Sequence, residues 1–413
     1  MTTTLSQLAI NGGTPVRAKP MPPRHLFGAE ERAAALALFD EAIHSGEAFG
    51  YNGAHEQAFE RDFAAFMGGG FADGVNSGTS AVFAALGMLQ LPAGSEVVVP
   101  PITDPGGVMP VVMLNCIPIF CDGDGHSYNM GAEQLEEVVT ERTRAVIVAH
   151  LMGEPADMDG IMAVAKRHNL RVIEDCAQSH GATFRGQKVG SFGDVAAFST
   201  MSGKHFATAA QGGVVYTKDE ELHWIGKRFA DRGKPFNLEG ATSNVMAGLN
   251  LNLNDLSAAV GRVQLRKLPW VVEQRRKVGE GVKQGIAGLR ATAVGWQHPQ
   301  ARSSYWFLRI AVQPGKLTVS TSEFCAALSA EGIPAGTPYR HIHCESTWFR
   351  KRKESWCPWK LAEDDRAFPE TLPLAAAVTD CNLNISIHEN YGEREIQDII
   401  DALAKVEAAF LKG

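Results

Sequence analysis

The stretch Arg171-Val172-Ile173-Glu174-Asp175 reads as a short strand whose apolar Val172-Ile173 pair ends in two carboxylates, with a helical pattern over 158–168 just before it. Further short apolar runs at 96–99, 117–120, 145–149, 195–198 and 213–216 are predicted strands. Helical patterns over 80–89, 108–114 and 132–139 lie among them. Apolar strands separated by helices imply an α/β fold, with a mostly parallel sheet covered on both faces. Upstream, helices are predicted over 29–45, stopped by Gly46, and over 55–67, closed by Gly68-Gly69-Gly70. Residues 1–25 carry two glycines and four prolines and read as an extended arm. Near Pro269 the character changes to a charged helical pattern over 271–288, a strand over 306–312, a helix over 322–331 capped by Ser320 or Thr321, and a last helix over 393–410. The expected organisation is an arm (1–25), a large domain (26–268) and a small α+β domain (269–413), with no internal repeat.

Size and charge narrow the function. A chain of 413 residues can hold one large and one smaller domain. A net charge of -7 offers no basic field for nucleic acid, so no nucleic-acid partner is expected. The seven cysteines are odd in number, scattered, and include no C-x-x-C pair, which fits reduced thiols in a cytoplasmic protein. The first residues lack the layout of a signal peptide, and the longest apolar stretches are far short of a membrane span.

Three places could carry chemistry. Asn76-Ser77-Gly78-Thr79-Ser80 lies where a strand passes into a helix, so free amides and the helix dipole could hold an anion; an ordinary helix cap is the competing reading. Asp175, at the end of its strand, needs a partner, either a cation or a core hydrogen bond. Gln178 lies three residues on. Lys204 sits in Phe198-Ser199-Thr200-Met201-Ser202-Gly203-Lys204-His205-Phe206, before Gln211-Gly212-Gly213. Pyridoxal phosphate needs this set: a lysine to form an imine with its aldehyde, a carboxylate to keep its ring nitrogen protonated, and hydroxyls and small residues around its phosphate. No metal constellation competes, because His341-Ile342-His343-Cys344 and Asp122-Gly123-Asp124 lack the remaining ligands nearby.

Beyond these sites, the stretches Ser77-Gly78-Thr79, Gly153-Glu154-Pro155-Ala156-Asp157-Met158-Asp159, Ile173-Glu174-Asp175-Cys176-Ala177-Gln178, Gly190-Ser191-Phe192-Gly193-Asp194 and the Lys204 segment resemble the DegT/DnrJ/EryC1/StrS sugar aminotransferases nearly end to end. The opening Leu8-Ala9-Ile10-Asn11-Gly12-Gly13-Thr14-Pro15-Val16-Arg17 is similar to the branch of cyclitol aminotransferases and aminohydroxybenzoate synthases. The resemblance implies the fold type I architecture, with a seven-stranded sheet. It implies Lys204 as Schiff-base residue and proton shuttle and Asp175 at the ring nitrogen. Gly78, Thr79 and Ser199, with Ser77 beside them, would hold the phosphate, and Gln178 would lie at the ring hydroxyl side. It also implies a homodimer whose partner lends an asparagine to the phosphate, matched here by Asn250.

Three departures mark this chain. Where the family has an aromatic stacked on the cofactor ring, Pro100-Pro101-Ile102-Thr103-Asp104-Pro105 presents Asp104. Asn252 stands for a usual arginine and Gln211 for a usual glutamate, and the histidine-bearing region of the small domain reads Pro338-Tyr339-Arg340-His341-Ile342-His343. The expected activity is transfer of an amino group from glutamate or glutamine to a keto-sugar or keto-cyclitol. The few basic candidates for a nucleotide, Arg232, Lys234 and Arg340, favour a cyclitol. The alternatives are a pyridoxal phosphate-dependent sugar dehydratase or deaminase, and a cofactor-binding homologue without turnover.

Overall fold

The computed structural model describes residues 4–354 and 360–412; Cys357 and the first three residues lie outside that range. Seven strands form the main sheet: β1 (Phe71–Val75), β2 (Glu96–Val99), β3 (Ile117–Phe120), β4 (Thr143–Ala149), β5 (Arg171–Asp175), β6 (Val195–Ser199) and β7 (Gly213–Thr217), in the order β1-β7-β6-β5-β4-β2-β3. The pairs from β6 to β3 are parallel, whereas β7 runs antiparallel to both β6 and β1. The reason lies in the connection: residues 200–212 contain no helix to carry the chain back across the sheet, so β7 returns antiparallel. That return loop holds Lys204.

Side chains alternate between two buried faces, as the pleat requires. Ile147 and Ile173 enter one cluster with the helix Gly78–Met88, while Val146, Val148 and Val172 enter another with the helix Met158–Arg167. Both faces are covered, which is why apolar residues follow one another along much of the strands. Two predicted helices differ in detail. The one expected over 80–89 starts at Gly78, because Ser77 Oγ caps it by accepting from the Ser80 amide at 3.0 Å. The one expected over 108–114 is shortened to Met109–Met113, after a 3-10 turn at Pro105–Gly107. Asp104 Oδ1 holds that turn by accepting from the Gly106 amide at 2.9 Å.

A second sheet is wholly antiparallel: β8 (Thr292–Val294), β9 (Leu308–Val312), β10 (Ala335–Gly336) and β11 (Asn382–Ile385), in the order β8-β9-β11-β10. The helices Thr321–Ala330 and Glu393–Phe410 pack with it. Ser320 caps the first, paired reciprocally with Glu323. The helix Asp255–Gly285 passes without a break through Pro269. Its Ala258, Leu265 and Leu268 pack with the large-domain aromatics Phe59 and Phe63, and its Val278 and Val282 with the small-domain core. The change of pattern near 269 is thus a change of partner along one helix, and a division at 268/269 falls inside it. The arm carries two 3-10 turns, Leu5–Gln7 and Ala9–Asn11, buries Leu8 in the small-domain core, and gives the amides of Ala9 and Val16 to Glu331. Among the described residues, no helix is long and apolar enough to cross a membrane.

Candidate active site

The carboxyl ends of β5 and β6, the start of β7 and the first turn of the helix Gly78–Met88 meet around a cavity of about 240 Å³. Ser77, Gly78, Thr79, Asp104, Asp175, Ser199 and Lys204 line it together. The position follows from topology, since strand carboxyl ends in open α/β sheets leave a crevice between diverging connections.

Asp175 is nearly buried, and its Oδ1 accepts from the Ala177 amide at 3.0 Å. Loss of water pushes its carboxyl above the usual carboxylate range, and Lys204 pulls only partly back. Its other oxygen faces Gly107, where a Cβ would lie 3.2 Å from Oδ2. Neighbouring Glu174 points to the opposite face and is wholly buried. It accepts from the amides of Gly190, Phe192 and Gly193, each at 2.7 Å, and meets His150 Nε2 at 3.1 Å. The glutamate therefore fixes the loop after β5, and the aspartate is left for the cavity.

Lys204 is 8% exposed. Burial lowers its amine to about 8, although Asp175 and Asp104 pull the other way. Its Nζ lies 4.0 Å from the centre of the Trp306 ring, and that indole donates to the Gly203 carbonyl at 2.9 Å. Both sides of this contact are tied down. Arg24 of the arm donates to the carbonyls of Ser202 and His205 at 3.3 and 2.8 Å, and to Glu389 at 2.8 Å. Glu389 also takes Arg275 Nε at 3.0 Å, and Arg275 in turn donates to the carbonyls of Tyr305 and Trp306.

At the other end, Gly78 presses on Ser199: a Cβ there would come within 2.6 Å of Ser199 Cβ. The Ser77 side chain is engaged as the cap, so the hydroxyls of Thr79 and Ser199 and the unpaired first-turn amides remain for an anion. This arrangement fits pyridoxal phosphate. It offers an amine lowered toward neutral pH, a carboxyl with one uncommitted oxygen and a shortage of positive charge around it, and a helix start with no intruding side chain.

Two predicted residues are not among those lining this cavity. Gln178 is buried, its Oε1 accepting from the Met152 amide at 2.9 Å and its side chain hydrogen bonded to Tyr339. Asn250 is exposed, its Oδ1 2.7 Å from Asn252 Nδ2. Arg232 and Lys234 both pair with Asp231, and Arg340 with Glu345 and Asp380. Trp306, Gly107 and the arm arginine were not foreseen as site residues. For Gly107 a signal existed, Asp104-Pro105-Gly106-Gly107 after a strand; for Trp306 none did. Among the described residues, His150, Glu174 and Cys176 lie within 4.8 Å of one another at metal-ligand spacing. His150 Nδ1 accepts from the Ala156 amide and Glu174 is saturated by the bonds above, so protein groups already occupy two of these three ligands.

Residues 30–404 match the profile of the DegT/DnrJ/EryC1/StrS aminotransferase family. An L-glutamine:2-deoxy-scyllo-inosose aminotransferase of Streptomyces fradiae is 31% identical over 421 residues, covering 97% of this chain and 98% of that one. A GDP-perosamine synthase of Caulobacter vibrioides is 31% identical over 350 residues, 84% of this chain and 89% of its own. Among solved structures, an aminotransferase from Psychrobacter cryohalolentis superposes with a TM-score of 0.82 at 28% identity, covering 94% of this chain and 99% of that one. The chain belongs to the DegT/DnrJ/EryC1/StrS aminotransferase family, enzymes that depend on pyridoxal phosphate.

Proposed function

We propose that the protein transfers an amino group from glutamine or glutamate to a keto-sugar or keto-cyclitol, acting as a cytoplasmic homodimer. The observation that carries this reading is the Lys204 amine, buried under Trp306 in the same cavity as Asp175 and the helix start at Gly78. When bound, pyridoxal phosphate supplies an electron sink that makes the donor's α-C–H acidic. The chain supplies the rest. Asp175 keeps a proton at the ring nitrogen, and its raised carboxyl is relieved by that cationic partner. Lys204, lowered to about 8, has a sizeable neutral fraction near neutral pH, so its Nζ can take and return the proton at carbon. Ser199, Thr79 and the first-turn amides bind the phosphate, and Trp306 keeps water from the lysine. Asn250, which is exposed, would reach the phosphate bound by the partner subunit.

Two relatives bracket the acceptor, one named for an inosose and the other for a nucleotide-linked sugar. The ion-paired state of Arg232, Lys234 and Arg340 supports the cyclitol side. Glutamate with a panel of keto acceptors, read by mass spectrometry, tests the reaction: transfer gives 2-oxoglutarate together with the aminated acceptor. Release of ammonia or water from the acceptor without 2-oxoglutarate points to a deaminase or dehydratase. An unchanged cofactor spectrum after donor addition points to a homologue without turnover. Mixing Lys204→Ala with Asn250→Ala subunits tests the shared site, because only mixed dimers contain one intact cavity.

A further inference from the structure

The N-terminal arm does more than lie on the small domain. It buries Leu8 in that core, and its Arg17 pairs with Glu395 and Asp398 at 3.1 and 2.5 Å. Farther along, three contacts fix its backbone at Arg24 and on either side of it. The Pro22 carbonyl accepts from His388 Nε2 at 2.8 Å, the Arg24 carbonyl from Asn390 Nδ2, and the Leu26 carbonyl from Gln264 Nε2 at 2.8 Å. The Arg24 side chain, 18% exposed, reaches from these anchors to the loop that carries the lysine.

The guanidinium serves three acceptors. Nη1 donates to the Ser202 carbonyl at 3.3 Å, Nη2 to the His205 carbonyl at 2.8 Å and Nε to Glu389 Oε1 at 2.8 Å. The two carbonyls bracket Gly203-Lys204, and the Lys204 amide closes a turn on the Met201 carbonyl at 2.9 Å. Glu389 Oε2 accepts from Arg275 Nε at 3.0 Å, and Arg275 Nη1 reaches the Tyr305 and Trp306 carbonyls at 3.2 and 3.1 Å. One chain of guanidinium, carboxylate and guanidinium therefore joins the loop that bears the amine to the segment that bears the indole. The planar fork of an arginine can hold several acceptors in fixed directions, which the point charge of a lysine cannot. Around the amine itself stand Asp175, Asp104, the Trp306 ring and His180, whose imidazole burial lowers to about 3 and so keeps neutral. None of these belongs to the arm, so the arm acts on the lysine through its backbone.

We infer that Arg24 is a positioning residue of the lysine site: its fork holds the Ser202–His205 turn to the Trp306 segment, so that docking of the N-terminal arm fixes the Lys204 amine against the indole. The inference rests on the aminotransferase reading, in which Lys204 is the working amine. Trace labelling of the apoprotein with acetic anhydride across pH, read on the Lys204 peptide by mass spectrometry, gives the amine's titration without cofactor. Arg24→Ala frees the turn and admits water. The midpoint should then rise by about one unit from about 8, and capture of pyridoxal phosphate at neutral pH should slow about 10-fold. Arg24→Lys keeps the charge beside Glu389 but loses the fork, and its midpoint should fall between the two. Arg17→Ala loosens the arm elsewhere; it should lower the melting temperature and leave the titration in place. A folded Arg24→Ala protein with the wild-type midpoint overturns the inference. Should that variant not fold, an Arg24→Lys protein with the wild-type midpoint overturns it instead. An equal shift in Arg17→Ala does so too, because arm docking in general, and not Arg24, would then set the lysine. If the variants shift as expected but the wild-type apoprotein captures no cofactor, the aminotransferase reading fails and the positioning role stands.

Discussion

The two walls of the Lys204 cavity are built by different means. The large-domain wall comes from strand ends and their following turns, so Asp175, Ser199, Gly78 and Lys204 are each placed by a few adjacent residues. The small-domain wall comes from Trp306 and Tyr339, and the Trp306 backbone is held by Arg275, which with Glu389 and Arg24 joins segments far apart in the chain. The first wall contains groups suited to the chemistry of the cofactor. The second sets how dry the lysine is, through a ring 4.0 Å from its Nζ. Reaction type and reaction conditions are thereby assigned to different parts of the chain.

The sharpest way to test this division is to remove chemistry from the first wall. Lys204→Ala should cost about 10²–10⁴-fold or more in turnover, the range for loss of a positioned acid-base group, and should abolish the visible absorbance of lysine-bound cofactor. Asp175→Asn keeps the shape and the Ala177 contact but loses the charge. It should slow the glutamine half-reaction by about 10–100-fold, the effect of one charge-assisted hydrogen bond, measured by stopped-flow absorbance. A variant at Asp175 with a normal half-reaction would break the comparison at its base.

The second wall should respond in pH rather than in reaction type. In the apoprotein, Lys204 is mostly charged below about 8 and neutral above, so the rate of cofactor capture should rise with pH through that value. Trp306→Ala admits water. Because burial is the largest cause of the lowered amine, its pKa should move back up toward that of an ordinary lysine, and the capture profile should shift to higher pH. At neutral pH this amounts to about 3–30-fold slower capture, the lost desolvation outweighing the loss of the cation–π contact, which works the other way. A profile that stays put in Trp306→Ala contradicts the assigned role of the indole.

The same contrast explains what could be read from the chain. The strand ends and the Lys204 segment were legible because hydrophobic runs, turns and reactive residues are adjacent in sequence, and seven of the nine site residues named from it line one cavity. Trp306 read only as the start of a strand, since nothing local says that its ring, just ahead of Leu308–Val312, turns onto a lysine a hundred residues earlier. Pro269 marked a real change, but as a change of packing partner: burial on both sides carries the helix across a residue that would break it in isolation. Gln178, expected at the cofactor's ring by resemblance, is buried, with its Oε1 on the Met152 amide and its side chain hydrogen bonded to Tyr339.

Asp104 tests the boundary between the walls, and there the expected effect is smallest. It lies on the large-domain side, exposed, with one oxygen holding the turn that brings Gly107 against Asp175. Its charge helps to raise Asp175 and Tyr339 and partly restores the lysine. Replacing it by phenylalanine removes that charge and provides a ring where the family has one. Cofactor retention should then improve by about 2–10-fold, the worth of one aromatic contact, read as a lower dissociation constant by fluorescence quenching. Asp104→Asn separates the two contributions, because its side-chain oxygen can still accept from Gly106 while the charge is gone. If both variants change retention equally, charge alone is responsible and the cofactor face is covered from elsewhere. If only the phenylalanine tightens binding, the aspartate marks a face of the cofactor that this chain leaves open.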